Sequence, residues 1–313
     1  PTRLRRLAIF FAAAAALRFG LGVNPSAPGD LFYPETPAIA VLRAAVGEGR
    51  IFGLGRALEP NLGMPFRLSD ARGRDFTTPK RYEELVTGRA TDFTFFSGEL
   101  ELPKNPALLA VGVVAATAKT VAAVPKNWAK IHEGDLFVFR SPTPVRRALF
   151  VPEARAAGSA AVLAAVRTPG FDPKRLAWLD DGPAASFGRL ARGSARLVAD
   201  GVNEVVVEVD SDGPGWLVLL DNWFPGWEAT VDGEPARVRR ADHAFRAVEV
   251  PGGRCLVRFV YRPLSFRIGL LLALRPHASG VLGVAGRVFL GIAGVGAAMG
   301  GLFNTDPPGT APE

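Results

Sequence analysis

The stretch DNWFPGWEATVDGEPARVRRADHAFRAVEVPGG, residues 221–253, decides how this chain folds. Inside it, WEATV and EPARV flank Asp232-Gly233. A two-residue link ending in Gly tolerates the positive φ that a type I′ turn demands, so a hairpin is predicted there. Just downstream, RCLVRFVYRP places Cys255, Val257, Phe259 and Tyr261 on one side and Arg254, Leu256, Arg258, Val260 and Arg262 on the other. The first set is apolar and the second carries arginines, the alternation of a half-buried antiparallel strand. Upstream, NEVVVEV and WLVLLD are separated by the breaker cluster DSDGPG. Short strands at close spacing from about residue 195 to 263 predict an antiparallel β-sandwich.

Two of the chain's five tryptophans, Trp223 and Trp227, bracket the bend at Phe224-Pro225-Gly226. Together with Trp216, Phe224 and Phe245 they could stack on a sugar ring. The competing role is packing at a sandwich corner. Packing is preferred, because Trp227 enters a strand whose alternate residues need burial, and a buried Trp is worth about 3–5 kcal/mol without any ligand. Trp223, Trp227, Asp232 and Gly233 are thus candidates for either a ligand site or a structural corner.

Working towards the N-terminus, the pattern changes. Thr36-Pro37, Thr78-Pro79 and Asn105-Pro106 each put a capping side chain before a proline at the first helical position. PAIAVLRAAV then places Ile39, Leu42 and Val46 on one face, and PKRYEELVTG points Tyr82, Leu85 and Val86 inward before stopping at Gly88. PALLA is a single turn leading into the strand VGVVAA, where β-branched residues cluster. RIFGLG, DLFVFRS, RRALFVP and RLAWLDDG are further strands, and AAVLAAV a further short helix. Mixed helices and strands predict an α/β layer joined to the sandwich. The expected organisation is an N-terminal membrane helix (residues 1–23), an extracytoplasmic α/β domain (24–185), a β-sandwich domain (186–264), a second membrane segment (265–303) and a disordered tail (304–313).

Composition narrows the function classes. The chain has 313 residues and a formal net charge of +7. Its arginines are dispersed rather than clustered, which argues against nucleic acid as a partner. A single cysteine, Cys255, excludes an intrachain disulfide, and its place on the apolar strand face marks it as a small buried hydrophobe. His132, His243 and His277 lack metal-ligand spacing, and no cofactor motif is present. Neither GLGRALEPNLG nor GVLGVAGRV has the form of a phosphate-cradling loop. His243 has no serine or cysteine beside it in a nucleophile context, and Asp180-Asp181 before Gly182 reads as a turn. SDARGRDF offers a loop charge cluster, Asp70, Arg72 and Asp75. Acid–base chemistry would want its carboxylates facing one substrate with separated pKa values. An Asp–Arg pair ordering the loop is the simpler role, and no catalytic residue is assigned.

Both ends of the chain point to a bilayer. LAIFFAAAAALRFGLGV (residues 7–23) follows the basic RLRR. A spanning helix takes about 20 apolar residues, with a lower limit near 17. Basic residues before it place the N-terminus in the cytoplasm and the following chain outside. A signal peptide is the alternative, although NPSAPGDLF offers no convincing small-x-small cleavage site. At the other end, IGLLLAL is broken by RPH and followed by GVLGVAGRVFLGIAGVGAAMGGLF (residues 280–303), which holds a Gly296-x-x-x-Gly300 pair and one charge, Arg287.

LVLLDNWFPGWEATVDGEPARVRRADHAFRAVEVPGGRCLVRFVYRPLSFRIG resembles the C-terminal signature of the YfhO-type family of bacterial membrane proteins. The Phe-Pro-Gly-Trp corner, the Val-Asp-Gly turn, the Ala-Phe-Arg-Ala-Val strand and the Tyr-Arg-Pro exit follow in that family's order. FYPETPAIAVLRA, ALEPNLGMPFRLSDARGRDFTTPKRYEEL and PALLAVGVV are similar to its extracytoplasmic α/β portion, so the resemblance covers most of residues 30–270. It implies a polytopic relative of the membrane glycosyltransferases that use lipid-phosphate sugars. Its full-length form would move a sugar from a polyprenyl-phosphate carrier to a cell-envelope glycan acceptor. Those enzymes carry their catalytic carboxylate in an early outer loop, which these residues do not include. The chain begins with Pro1 and is expected to be part of a longer protein, itself non-catalytic, at the cell membrane with its bulk outside. The alternative is a non-enzymatic envelope module that binds carbohydrate or a partner protein.

Overall fold

A computed structural model describes residues 2–23, 29–73, 79–88, 101–180 and 191–273. The protein is built mostly of β-sheet, in three antiparallel-rich sheets, with short helices between them. The first sheet comprises β1 (Arg50–Gly53), β2 (Val111–Ala116), β3 (Ala129–Glu133) and β4 (Phe137–Arg140), in the order β1-β2-β4-β3 with β1 and β2 parallel. Next along the chain come β5 (Ala148–Val151), β6 (Glu153–Ala156), β7 (Leu176–Leu179), β8 (Gly193–Asp200), β9 (Glu204–Ser211) and β10 (Gly215–Asn222). Then follow β11 (Trp227–Val231), β12 (Glu234–Ala236), β13 (Arg239–Ala241), β14 (Phe245–Val250) and β15 (Gly253–Tyr261). These make a six-stranded sheet, β5-β10-β14-β13-β7-β6, and a five-stranded sheet, β12-β11-β15-β9-β8. Strands on both sides of residue 185 therefore share one sheet.

The six-stranded sheet is the central wall. In β10 the residues from Gly215 to Leu220 are all buried. Trp216, Val218 and Leu220 face the four-stranded sheet, while Leu217 and Leu219 face the five-stranded one. Neighbouring strands follow the same period of two: Leu149 and Val151 point one way, Ala148 and Phe150 the other. A strand covered on both faces has no polar side to show, which is why WLVLL reads as an unbroken apolar run. Opposite it, Val205, Val207 and Val209 of β9 and Cys255, Val257 and Phe259 of β15 close a sandwich-like core. Cys255 is the buried hydrophobe its strand position predicts.

Helices fill the remaining faces. α1 (Thr2–Val23) and α2 (Gly29–Phe32) precede α3 (Pro37–Val46), whose Thr36 side chain accepts from the Ile39 N–H. Ile39 and Leu42 pack on the outer face of the four-stranded sheet. α4 (Lys80–Thr87) ends at Gly88 in the left-handed conformation, as its sequence predicts, and buries Tyr82 and Leu85. With α5 (Ser159–Val166) it fills the gap between the four- and six-stranded sheets. Asn105 caps nothing. It donates to the Phe171 carbonyl, and Pro106–Leu109 is a single 3-10 turn. β3, β6 and β13 carry no alternation that the sequence alone could reveal: AKIHE, EARA and RRA are too short and polar.

The hairpin at Asp232-Gly233 forms with both φ values positive, 51° and 91°. Upstream, Gly226 has φ 102°, and a Cβ there would meet the Pro263 backbone at 2.7 Å, so the Phe-Pro-Gly corner needs glycine on both counts.

α1 exposes its apolar side chains from Leu7 to Phe19, and α6 (Leu264–Ala273) buries none. Among the described residues no helix is long and apolar enough to cross a membrane. The run at 280–303 with Arg287 and the Gly296–Gly300 pair, the tail 304–313, Thr78, Asp181, Gly182 and His277 lie outside the described residues.

Candidate functional site

Where the three sheets meet, one carboxylate holds three guanidinium groups. Asp221, near the end of β10, accepts from Arg50 at 2.5 Å, from Arg147 at 3.0 and 3.2 Å and from Arg246 at 3.1 Å. Arg50 opens β1, Arg147 directly precedes β5, and Arg246 lies in β14. Arg147 also reaches the third sheet, donating to both oxygens of Asp200 at the end of β8. At Asp221, Arg147 and Arg246 burial pushes against charge; the partners win at the first two and burial wins at the third. Against burial, Arg50, Arg147 and Arg246 hold the Asp221 carboxyl below the usual carboxylate range. Burial would lower Arg147, but Asp221 and Asp200 outweigh it and hold the guanidinium above its ordinary value. Arg246 is brought down to about 10 by burial first and by Arg147 and Arg50 beside it, against the pull of Asp221.

In front of this hub opens a cleft of about 440 Å³. Arg50, Arg147, Asp200, Asp70, Arg72 and Ser69 supply its polar wall, and Met64 and Val202 its apolar one. Here the loop charge cluster takes its place. Asp70 accepts from the Arg72 backbone N–H and side chain, and Arg72 donates onward to the Gly53 and Leu58 carbonyls. A Cβ at Gly53 would lie 2.6 Å from the Arg72 guanidinium, so the glycine makes room for it. Asp70 and Arg72 thus order the loop and line the cleft together. Asp75 lies outside the described residues.

The tryptophans frame a second, separate hollow. Trp223, Phe224, Gly226, Trp227, Glu228 and Thr230 line a groove of about 390 Å³, which Asp232 and Gly233 do not reach. Trp227 is half-buried. The Arg246 guanidinium sits 3.7 Å from its ring centroid, and Tyr261, its cross-strand partner, lies 5.0 Å away. Trp227 is therefore a corner residue that roofs the buried Arg246, with part of its ring in the groove. Trp223 has the Arg240 guanidinium 4.0 Å from its ring.

A third cluster surrounds the turn between β13 and β14. Asp242 and His243 are consecutive left-handed residues, with φ 48° and 75°. His243 Nε2 bonds Glu84 of α4 at 2.7 Å, and Nδ1 lies 3.4 Å from Ser159 Oγ of α5. The sequence hides this grouping, since its members stand about 80 and 160 residues apart. Arg81 pairs with Asp180 and donates to the His243 carbonyl. Burial holds Asp180 above the ordinary carboxylate range despite Arg81. Asp242 accepts only the Trp178 N–H, leaving Oδ2 without a partner, and burial lifts its carboxyl to about 7. Both imidazole nitrogens are engaged and the ring is buried, so the cluster pins α4 and α5 to the sheet. No group of three or more metal-binding side chains occurs among the described residues.

The arginine hub escaped the sequence reading. Its one visible signal is charge at the ends of, or within, apolar strands: Arg in RIFG and RALFV, Asp after WLVLL, Arg inside FRAV.

Comparison with family models, with curated proteins and with solved structures finds no match for this chain.

Proposed function

We propose that the chain is the extracytoplasmic portion of a YfhO-like integral membrane protein, held at the bilayer by α1 and by the apolar run that α6 enters. The carrying observation is the pair of apolar helices that the β-rich body leaves bare. Leu7, Ile9, Phe10, Phe11, Leu17 and Phe19 of α1 are exposed, as are Leu264, Phe266, Ile268 and Leu271 of α6. The uncharged stretches 7–17 of α1 and 268–273 of α6 are left bare, and an exposed apolar stretch needs a cover, which lipid supplies. Arg3, Arg5 and Arg6 at the start of α1 suit a cytoplasmic N-terminus. On this reading the full-length protein transfers a sugar from a polyprenyl-phosphate carrier to an envelope acceptor. The present portion shapes or covers the acceptor side and performs no transfer itself. An Asp212→Cys variant in intact cells should react with a membrane-impermeant thiol reagent, since Asp212 is exposed and the native Cys255 is buried. Labelling only after lysis would overturn the topology. Sugar transfer from a polyprenyl-phosphate donor by the purified chain would overturn the non-catalytic role.

The groove of Trp223, Phe224 and Trp227 favours a second reading, a non-enzymatic envelope module that binds carbohydrate. Loss of glycan binding in Trp223→Ala at an unchanged melting temperature would support it.

A further inference from the structure

Arg147 holds two carboxylates of unequal standing. Asp221 lies behind it in the buried hub. Asp200 lies in front, on the last residue of the edge strand β8, with its side chain 47% exposed. Asp200 takes the two terminal nitrogens of the guanidinium at 2.6 and 3.0 Å. That two-oxygen, two-nitrogen fork is how arginine recognises carboxylate and phosphate in general. Yet Asp200 gains little by sitting there, because an ion pair with one half-exposed partner is nearly balanced by hydration and side-chain entropy. The pairing of β8 with β9 shifts register between Leu197 and Ala199, just before Asp200, and such bulges re-aim side chains at sheet edges.

Two further observations say what would replace it. Arg50, Arg147 and Arg246 face Asp221 and Asp200, three cations against two anions, so this group keeps an excess positive charge. The cleft wall beside the fork is apolar where it meets solvent: Met64 is 70% exposed and Val202, beside Asp200 in the β8–β9 turn, is 94% exposed.

We propose that the cleft binds an amphiphilic oxyanion, a phosphate or carboxylate head with an apolar chain, and that Asp200 fills the Arg147 fork as an internal stand-in until the ligand arrives. The head takes the two N–H groups that Asp200 gives up, Asp200 turns to water, and the chain lies over Met64 and Val202. No covalent bond changes. The carrier named above is one molecule of this chemical class, so the inference deepens that reading by assigning a cleft of this chain to the class, and the binding test holds whether or not the topology does.

The test titrates dodecyl phosphate into the full chain in a nonionic detergent and follows the heat of binding. Wild type should bind dodecyl phosphate more tightly than inorganic phosphate. If Asp200 blocks the fork about nine-tenths of the time, Asp200→Asn should tighten binding about tenfold. Its melting curve should be unchanged, and Val202→Asp should weaken binding. Displacement by phosphatidylglycerol in the same micelles would identify the head as a bilayer lipid's, and its failure a soluble amphiphile's; either supports the site. Unchanged or weaker affinity in a folded Asp200→Asn overturns the stand-in. Inorganic phosphate binding as tightly as dodecyl phosphate overturns the apolar half of the site.

Discussion

Asp221 and Asp242 flank the start of β14 at the same end of the six-stranded sheet, both largely buried, both aspartate, and they end up with opposite charge preferences. Asp221 is surrounded by three guanidinium groups and held ionised. Asp242 has one backbone N–H and an empty oxygen, and burial lifts it to about 7. Depth alone does not set protonation; the number of donors that arrive with the chain does.

The largest expected effect breaks the first half of that comparison. Asp221→Ala leaves Arg246 without its carboxylate and takes one partner from Arg50 and Arg147, and losing one side of a buried ion network costs about 3–5 kcal/mol. Chemical denaturation should show that loss or no folded protein at all. Asp221 also makes stability acid-sensitive. Its folded pKa is depressed, so its contribution is complete above the unfolded value of about 4 and is lost as pH falls.

Trp227→Ala should follow, at about 3 kcal/mol, because it opens a cavity at the sheet corner and removes the ring over Arg246. An unchanged melting temperature with lost glycan binding would instead make Trp227 a sugar platform.

Asp242→Asn sharpens the second half, with the opposite sign. Below about pH 4 both states of the wild type carry the proton there, and the carboxyl costs nothing extra. Between about 4 and 7 the unfolded chain releases it and the folded one does not, so wild-type stability falls as pH rises, then levels off. Asparagine keeps the acceptor for the Trp178 N–H, tolerates φ 48° and never ionises. The variant should match wild type near pH 4 and exceed it by about 2–4 kcal/mol above pH 7. Melting curves across that range check the sign as well as the size.

The smallest effect lies on the outer face. Arg258 and Glu204 pair across β15 and β9 at 2.6 Å but stand half-exposed, and Arg258→Ala should leave the melting temperature almost unmoved.

The elements legible in the sequence were those with a period or a marker. The alternation in β15, the Asp-Gly turn, the Thr36 cap and the Gly88 stop all lie within a few residues of what they determine. The hub was not legible, because Arg50 and Asp221 meet across 171 positions and no local pattern announces a long-range ion pair. The same holds for His243, whose partners come from two helices far upstream. The loop pair Asp70–Arg72 could be read as an ordering pair from its spacing, but its place in a cleft depends on β8, which comes from another sheet.

The central wall has a consequence for how the chain can be cut. β5 lies hydrogen-bonded to β10, and β7 to β13, so the first half of the six-stranded sheet finds its partners only after residue 215 has been made. A chain ended near residue 185 would carry β5 and β7 with bare edges, and with Ala148 and Phe150 turned towards a five-stranded sheet not yet made. Unpaired apolar edges recruit one another between molecules. Ribosomes making this protein therefore hold an aggregation-prone nascent chain for about the length of a further hairpin, and expression trials that split it there should yield inclusion bodies from both halves.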